Sequence, residues 1–276
     1  MVAWALDVLA PITMTHQYQS GEKTVTRKSR NRALTSLDKR VGEAVSFFWR
    51  TRGSQATKQD ETGSRDQGNR GKVTGGKQMD GFIRLFVDLI KEQGISDPCI
   101  FVQKATLQIP GFFRPTKEWD LLVVKDGQLI AALEAKSQVG PSFGNNFNNR
   151  TEEALGSSVC LWTAFREGAF NRTVKPWLGY VFLLEDCPRS RSPVAVSEPH
   201  FKVFPEFVNA SYATRYELFC RKLVRERNYD AAAFLTSEEA TGLRGVYDEP
   251  AEDLTMKLFA KALTAHVSTY VDTGAK

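Results

Sequence analysis

The stretch WDLLVVKDGQLIAALEAK, residues 119–136, predicts a β-hairpin with charged side chains at its edge. Two apolar runs, LLVV and LIAAL, flank the dipeptide Asp126-Gly127, which is a strong signal for a hairpin turn. Asp120 opens the first predicted strand, and Glu134 and Lys136 end the second. Because side chains alternate along a strand, Glu134 and Lys136 share one face.

The length of the turn decides whether Asp120 shares that face. A two-residue type I′ turn at Asp126-Gly127 would send Asp120 and Glu134 to opposite faces. A three-residue loop, 125–127, with Gly127 as a left-handed bulge residue, makes them diagonal neighbours with Cβ atoms about 7 Å apart. We predict the three-residue loop, because it lets one divalent ion sit between the two carboxylates.

Two carboxylates beside an ammonium group are typical of a metal site for phosphodiester hydrolysis. Oxygen ligands favour Mg²⁺, with Mn²⁺ as a substitute, and such an ion polarises a phosphate and activates water. We expect Asp120 and Glu134 as ligands, the backbone carbonyl of Ala135 as a further ligand, and Lys136 beside the attacking water or the phosphorane. The same three residue types also occur as an ordinary surface ion pair, and the pattern alone leaves that alternative open.

The basic residues are concentrated in one part of the chain. The net charge is +5, yet residues 23–77 hold fourteen lysines and arginines against five acidic residues. Such a concentration is an electrostatic footprint for a polyanion, although a solvated basic segment without a ligand is equally common. Between residues 51 and 77 only Ala56 and Val73 are apolar. We therefore predict a mobile basic loop at about 51–77, and a poorly ordered basic extension over residues 1–33.

The remaining chain predicts one domain, residues 34–276, in which helices flank a central mixed sheet. Its class is α/β or α+β. The predicted elements follow in chain order: helix 36–51, a helix from 79 to Gly94, strands 99–104 and 105–110, the hairpin, a loop at 144–149, a helix opened by Asn149, strand 177–184, and helices 211–228 and 253–270. On the helix opened by Asn149 we expect an inner face of Leu155, Val159, Trp162 and Phe165.

Several classes of protein are disfavoured by composition. No apolar run approaches the roughly 18 residues of a membrane helix, and the N-terminal stretch lacks the features of a signal peptide. Four scattered cysteines and three isolated histidines favour reduced thiols over a zinc site or a disulfide framework. We expect a cytoplasmic protein.

Beyond the three charged residues, the string GFFRPTKEWDLLVVKDGQLIAALEAKSQVGPSFGNNFNNRTEEALGSSVCLWTAFREGAF, residues 111–170, resembles the Type II restriction endonucleases of the XhoI family. VTGGKQMDGFIRL at 73–85, LEDCPRSRSPVAVSEPHFKVFPEF at 184–207 and SYATRYELFCRKLVRERNYDAAAFL at 211–235 resemble it as well. The resemblance runs from about residue 34 to the C-terminus.

The resemblance implies a PD-(D/E)XK nuclease core, Mg²⁺ dependence and a homodimer on double-stranded DNA. It implies the target CTCGAG, cut after the first C to leave 5′ overhangs with 5′-phosphate and 3′-OH ends. A companion DNA methyltransferase would protect the same site in the host. Asp120, Glu134 and Lys136 take the motif positions, although Trp119 stands where a proline is usual. Glu43 is a candidate for the additional glutamate that many such nucleases draw from their first helix.

Candidate DNA contacts lie on both sides of the hairpin. A palindromic target fits a two-fold dimer, and bases are read by amide or guanidinium groups. Arg114 and Lys117 are expected to hold phosphates, and the Asn-rich segment to meet bases or backbone. The full set of expected contacts is Arg114, Lys117, Asn145, Asn146, Asn148, Arg150, Arg52, Lys58, Arg70 and Lys72.

Two other functions remain open at this stage. One is a PD-(D/E)XK nuclease of other specificity, such as a repair or junction nuclease. The other is a non-catalytic DNA-binding protein in which the carboxylates form a structural ion pair.

Overall fold

The computed structural model describes residues 35–62, 77–171 and 174–272, with only the backbone described at 55–62 and 272. Its helices are α1 Ser36–Thr62, α2 Asp80–Lys91, α3 Phe143–Arg166, α4 Pro188–Arg191, α5 Tyr212–Arg225, α6 Glu239–Gly242 and α7 Met256–Asp272. Its strands are β1 Ile100–Phe101, β2 Gln108–Pro110, β3 Thr116–Glu118, β4 Leu121–Lys125, β5 Gln128–Gln138, β6 Trp177–Glu185 and β7 Ala231–Ser237. Three short 3₁₀ turns lie at Asp97–Cys99, Lys104–Thr106 and Pro205–Phe207.

A five-stranded mixed sheet in the order β1-β4-β5-β6-β7 forms the centre of the fold. β4 is antiparallel to β1 and β5, whereas β5, β6 and β7 run parallel. One apolar core joins the sheet to α1, α2 and α7, and a second joins its other face to α3 and α5. Because both faces are covered, the central strands are apolar almost throughout. The predicted mixed sheet between helical layers is confirmed.

The turn of the β4–β5 hairpin differs from our prediction. Lys125 pairs with Gln128, so the turn has two residues, and Asp126 and Gly127 have φ values of 52° and 72°. Both values are positive, as a type I′ turn requires. The predicted three-residue loop is wrong, because this tighter turn matches the right-handed twist of the two strands.

A bulge inside β5 nevertheless brings the carboxylates to one face. Val124 pairs with Leu129 but Val123 pairs with Ala131, which leaves Ile130 without a partner in the ladder. The extra residue shifts the register by one, and Leu121 pairs with Leu133. Continuing that register by one residue sets Asp120 opposite Glu134, so the two side chains share a face.

Helix α1 is longer than predicted. It continues through Thr62, so the predicted loop at 51–77 is wrong for residues 51–62. The loss of apolar periodicity after Thr51 does not end the helix, because glutamine, lysine, glutamate and alanine favour helix even without a buried face. Residues 63–76, and the predicted extension over residues 1–33, lie outside the described residues.

Helix α3 begins earlier than predicted and turns a different face inward. The Asn-rich segment lies within the helix, not in a loop, because Phe143 and Phe147 pack on Tyr212 and Tyr216 and outweigh the low helix propensity of asparagine. The predicted inner face is also wrong: Leu155 and Val159 are exposed, and Trp162 and Phe165 are only partly buried. The buried residues of the helix are Phe143, Ala154, Ser157, Ser158, Cys160, Leu161 and Ala164.

Several other elements agree with the sequence prediction, whereas β3, β7, α4 and α6 were not predicted. Strand β6 and helices α2, α5 and α7 lie where they were predicted, whereas the predicted strands at 99–104 and 105–110 shrink to β1 and β2. All four cysteines are free. Over the described ranges, no helix combines the length and the apolar character needed to cross a bilayer.

Candidate active site

The β4–β5 hairpin presents its charged side chains toward the α3 and α5 layer. Asp120 immediately precedes β4, and its backbone N–H donates to the carbonyl of Leu133 at 3.1 Å. Glu134 and Lys136 alternate on β5 with Ala135, whose side chain packs in the opposite core with α1, α2 and α7. The alternation predicted from the sequence therefore places three charged groups on one side of the sheet.

Lys136 joins the two carboxylates. Its Nζ lies 2.8 Å from Oδ2 of Asp120 and 3.9 Å from Oε1 of Glu134. The same Oδ2 accepts a hydrogen bond of 2.9 Å from the backbone N–H of Ala135. An extended residue turns its N–H and C=O to the same edge of the strand. The carbonyl of Ala135 therefore faces the edge at which Asp120 lies.

Glu134 is almost completely buried, at 2% exposure, and both of its oxygens have partners. Oε1 accepts from Nζ of Lys117 at 2.7 Å, and Oε2 accepts from the hydroxyl of Tyr229 at 2.7 Å. The hydroxyl of Tyr229 also lies 3.2 Å from the carbonyl of Ala154 on α3. A buried carboxylate needs such partners, because desolvation would otherwise favour its neutral form.

The charges of the cluster support one another. Burial raises the pKa of Glu134, but the charges of Lys136 and Lys117 and the hydrogen bonds from Lys117 and Tyr229 outweigh it, so the pKa lies below its usual value. Burial likewise lowers the pKa of Lys136, yet Asp120 and Glu134 hold it above its usual value. Glu134 is therefore an anion and Lys136 a cation at neutral pH.

A cavity of about 290 Å³ opens beside these groups. The cavity is lined by Glu134 and Lys136 of β5, by Lys117 of β3, and by Glu153 and Ser157 of α3. Arg114, from the loop between β2 and β3, reaches the same cavity. The site thus combines two buried or half-buried carboxylates with a rim that carries positive charge.

The donor set fits a hard divalent cation. Within the described ranges, no group of three or more histidine, cysteine, aspartate or glutamate side chains could hold a metal. The facing carboxylates of Asp120 and Glu134, with the Ala135 carbonyl, leave the remaining positions to water and phosphate, as Mg²⁺ prefers. The ammonium of Lys117 already lies 2.7 Å from Oε1 of Glu134, so a positive charge is accommodated beside this carboxylate.

Glu43 is not brought to these residues. It lies on an exposed part of α1, and no hydrogen bond or ion pair in the described structure links it to Asp120 or Glu134. A different carboxylate is closer. Burial raises the pKa of Asp80 at the start of α2, and the charge of Asp120 adds to this effect, so Asp80 lies within electrostatic range of the site.

The expected DNA contacts of α3 lie in its first two turns. Asn145 and Asn148 are exposed, whereas Asn146 is half-buried. Arg150 pairs with Glu153 at 2.7 Å. Its positive charge lowers the pKa of Lys136, whereas the carboxylates of Asp120 and Glu134 raise it, so Arg150 is electrostatically coupled to the site. The helix therefore runs from its exposed amides toward the cavity.

Arg52 is placed differently from the expectation of an open phosphate contact. It lines a cavity of about 450 Å³ with Glu185, Glu239 and Arg189. Burial lowers its pKa, and the charges of Glu185 and Glu239 oppose that shift. Lys58 lies on α1 with its side chain outside the description, and Arg70 and Lys72 lie outside the described residues altogether.

Sequence reasoning missed two partners of Glu134. Lys117 was expected to hold a phosphate, yet its ammonium contacts Glu134, Trp119 and the carbonyl of Glu118. Tyr229 was not considered, and it lies ninety-five residues from Glu134 in the chain. No local pattern marks either contact, because both form only when separate elements pack together.

Comparisons with known proteins identify the family of this chain. A family model described as "Restriction endonuclease XhoI" matches residues 58–249. Type II restriction enzyme BstVI of Geobacillus stearothermophilus is 55% identical over 214 residues, which are 76% of this chain and 95% of that protein. No solved structure gives a significant match.

Two further relatives have similar names. Type II restriction enzyme AbrI of Azospirillum brasilense is 50% identical over 169 residues, 61% of this chain and 76% of that enzyme. Type II restriction enzyme XhoI of Xanthomonas vasicola is 46% identical over 192 residues, 69% of this chain and 77% of that enzyme. The resemblance described from the sequence is confirmed.

Proposed function

Because this chain belongs to the XhoI family of Type II restriction endonucleases, we propose that it cuts double-stranded DNA at CTCGAG after the first C. The products would carry 5′ overhangs with 5′-phosphate and 3′-OH ends. Membership of this family sets aside the two alternatives, a repair or junction nuclease and a non-catalytic DNA-binding protein. A companion methyltransferase would protect the same sequence.

One observation carries the assignment of the active site. Lys136 bridges Asp120 and Glu134 on facing strands, at 2.8 Å and 3.9 Å, beside a cavity with a basic rim. Asp120, Glu134 and the Ala135 carbonyl would hold Mg²⁺, with Mn²⁺ as a substitute. The bound metal would polarise the scissile phosphate and lower the pKa of a coordinated water.

The protein side chains would do the rest of the chemistry. The ammonium of Lys136, held cationic by the two carboxylates, would orient the attacking water and stabilise charge on the pentavalent phosphorane. Tyr229 fixes the Glu134 carboxylate so that only one of its oxygens is turned toward the cavity. Arg114, at the cavity rim, would hold the DNA backbone, as a cation does without reading sequence.

Recognition of the palindrome calls for a homodimer, because two-fold symmetry then supplies one active site for each strand. The exposed Asn145 and Asn148 are the proposed base-reading groups, since an amide can bind adenine N6 and N7 together. Sedimentation velocity should give a dimer, and Asn145→Ala should weaken binding to CTCGAG more than binding to a scrambled duplex.

The decisive assay uses a supercoiled plasmid with a single CTCGAG, incubated with protein and Mg²⁺. The parent should give one linear product, whereas Asp120→Asn and Lys136→Met should give none above background. Lys91→Met is the matched control, because Lys91 lies at the end of α2, on the other side of the sheet, where it pairs with Asp97. Cleavage by Lys136→Met at the parental rate would reject the proposed site, and cuts at other sequences would reject the proposed target.

A further inference from the structure

The connection between β2 and β3 exposes two aromatic rings. Phe112 is 51% exposed and Phe113 is 70% exposed, and their ring centroids lie 4.9 Å apart in an edge-to-face arrangement. Large apolar side chains are rarely presented to water in adjacent pairs without a binding role. These rings contribute to neither of the two cores.

The backbone beneath the rings is held in place. The two strands pair from Gln108 with Glu118 to Pro110 with Thr116, and Gly111 donates to the carbonyl of Pro115 at 3.2 Å. The N–H of Phe112 donates to Sγ of the buried Cys160 on α3 at 3.1 Å. The rings are therefore presented by a fixed support, which lowers the entropy cost of binding through them.

A glycine makes this anchorage possible. A Cβ at Gly111 would lie 2.7 Å from the carbonyl oxygen of Arg114 and 2.8 Å from Sγ of Cys160. Neither distance is sterically acceptable. The loop between β2 and β3 can therefore pack this closely on α3 only because residue 111 has no side chain. The exposed rings are thus a built feature of the loop and not the result of a loose segment.

The same hairpin also reaches the candidate active site. Lys117 of β3 contacts Glu134, and Arg114 lines the cavity that contains Glu134 and Lys136. Phe113 is four residues from Lys117, which at about 3.3 Å per residue is at most about 13 Å along an extended strand. A phosphate held in the cavity would therefore have its neighbouring bases within reach of the rings.

We propose that the β2–β3 tip, Phe112 and Phe113, is a DNA wedge that stacks against the bases next to the scissile phosphate and unstacks that base step. Apolar side chains inserted between bases act in this way in other DNA-bending proteins. The positive charge of Arg114 beside the rings suits a polyanion and not a second apolar protein surface. The inference rests on the proposed active site, since the position of the cut is what places the rings near particular bases.

Permanganate footprinting tests this proposal, because permanganate oxidises thymines that have lost their stacking. The parent is bound to a CTCGAG duplex with Ca²⁺ in place of Mg²⁺ so that the DNA stays intact. Thymines beside the cut should become reactive. In the double variant Phe112→Ser with Phe113→Ser, this reactivity should fall to that of free DNA. Binding should weaken at least about tenfold, because the loss of even one stacked ring is expected to cost that much.

Two variants serve as controls. Phe113→Trp keeps an aromatic face and should keep the reactivity. Leu258→Ser removes an apolar side chain that is 48% exposed on α7, in the layer on the other side of the sheet, and should leave footprint and affinity unchanged. A thermal unfolding curve of the double variant equal to that of the parent shows that the fold is intact.

Three results would overturn the wedge: thymines that stay unreactive in the parent complex, equal reactivity in the double variant, or a loss of the dimer in the double variant with an unchanged footprint. The last result would assign the rings to a second copy of the chain. Failure of the proposed function is a separate outcome, seen as absent cleavage of the CTCGAG plasmid by the parent in Mg²⁺. The footprint is then repeated on a duplex that the parent does cut, and the same criteria apply.

Discussion

The hydroxyl of Tyr229 lies 2.7 Å from Oε2 of Glu134, and both groups are buried. Tyr229 lies between α5 and β7, two residues before the strand begins, whereas Glu134 lies in the middle of β5. This hydrogen bond from Tyr229 fixes the rotamer of the Glu134 side chain. It leaves the other oxygen, Oε1, directed at the lysines and the cavity.

Tyr229→Phe should therefore impair the site without changing its ligands. The variant removes only the hydroxyl, and partners that orient a metal ligand typically contribute 10- to 100-fold in metal affinity or activity. We expect the Mg²⁺ concentration for half-maximal cleavage to rise by about that factor, measured on the single-site plasmid. A purely structural role would lower thermal stability and leave the Mg²⁺ dependence unchanged, and that result would contradict the prediction.

Lys117→Met should lower the stability of the protein at neutral pH and make that stability less dependent on pH in the acid range. The pKa of Glu134 lies below its usual value in the folded protein, so its contribution to stability is present above the unfolded pKa of about 4.3 and is lost as the pH falls through the folded pKa. Removing the Lys117 ammonium raises the folded pKa toward the value that burial favours. The difference between the unfolded and the folded pKa then becomes smaller, so Glu134 contributes less stability at neutral pH and less is lost as the pH falls.

Urea unfolding between pH 7 and pH 3 measures this effect. The variant should have a lower free energy of unfolding than the parent at pH 7 and should lose less of it on acidification, whereas Lys91→Met, which breaks a surface pair, should follow the parent curve. Identical pH profiles for parent and Lys117→Met would show that the ion pair does not control the charge of Glu134.

Arg114→Ala should reduce the salt dependence of DNA binding. Each phosphate neutralised by a cation contributes about −0.9 to the slope of log K against log salt concentration. We expect the slope to become shallower by about one, with equal losses of affinity for CTCGAG and for a scrambled duplex. Fluorescence anisotropy at several salt concentrations measures both quantities, and an unchanged slope would remove Arg114 from the phosphate contacts.

Gly127→Ala should destabilise the hairpin that carries the site. Gly127 has a φ of 72°, and a side chain in the left-handed region costs about 1–2 kcal/mol. Gly156→Ala is the matched control, because Gly156 is exposed within α3 and a Cβ there meets no atom within 4 Å. That variant should gain about 0.5–1 kcal/mol in free energy of unfolding, since alanine favours helix. Chemical denaturation that ranks the two variants in the opposite order would contradict the turn geometry.

The β4–β5 hairpin shows how much of the site the local sequence pattern determines. Asp126-Gly127 between two apolar runs determines that two strands pair, and alternation determines that Glu134 and Lys136 share a face. Neither feature determines the bulge at Ile130, which is what brings Asp120 to that face. Our prediction placed the extra residue in the turn so that one divalent ion could sit between the two carboxylates. A bulge between apolar residues leaves no signal in the sequence that would have placed it there instead.

Helix α3 illustrates the same limit at a larger scale. Asparagines at 145, 146, 148 and 149 predict a loop from propensity alone, yet the segment is helical because Phe143 and Phe147 pack on the aromatic residues of α5. The apolar stripe read from the sequence was Leu155 and Val159, whereas small residues, including Ala154 and Ser157, face the sheet. The hydroxyl of Tyr229 lies 3.2 Å from the carbonyl of Ala154, so the helix packs closely on the site at this point.

Sequence by itself determined the family, the order of most helices and strands, and the three charged residues of the hairpin, because these depend on residue types at short spacing. Tertiary structure alone decided that Lys117 and Tyr229 hold Glu134 and that Phe112 and Phe113 stand exposed beside the cavity. Those contacts join residues up to ninety-five positions apart. Their energies arise only when distant elements pack, so no local pattern along the chain records them.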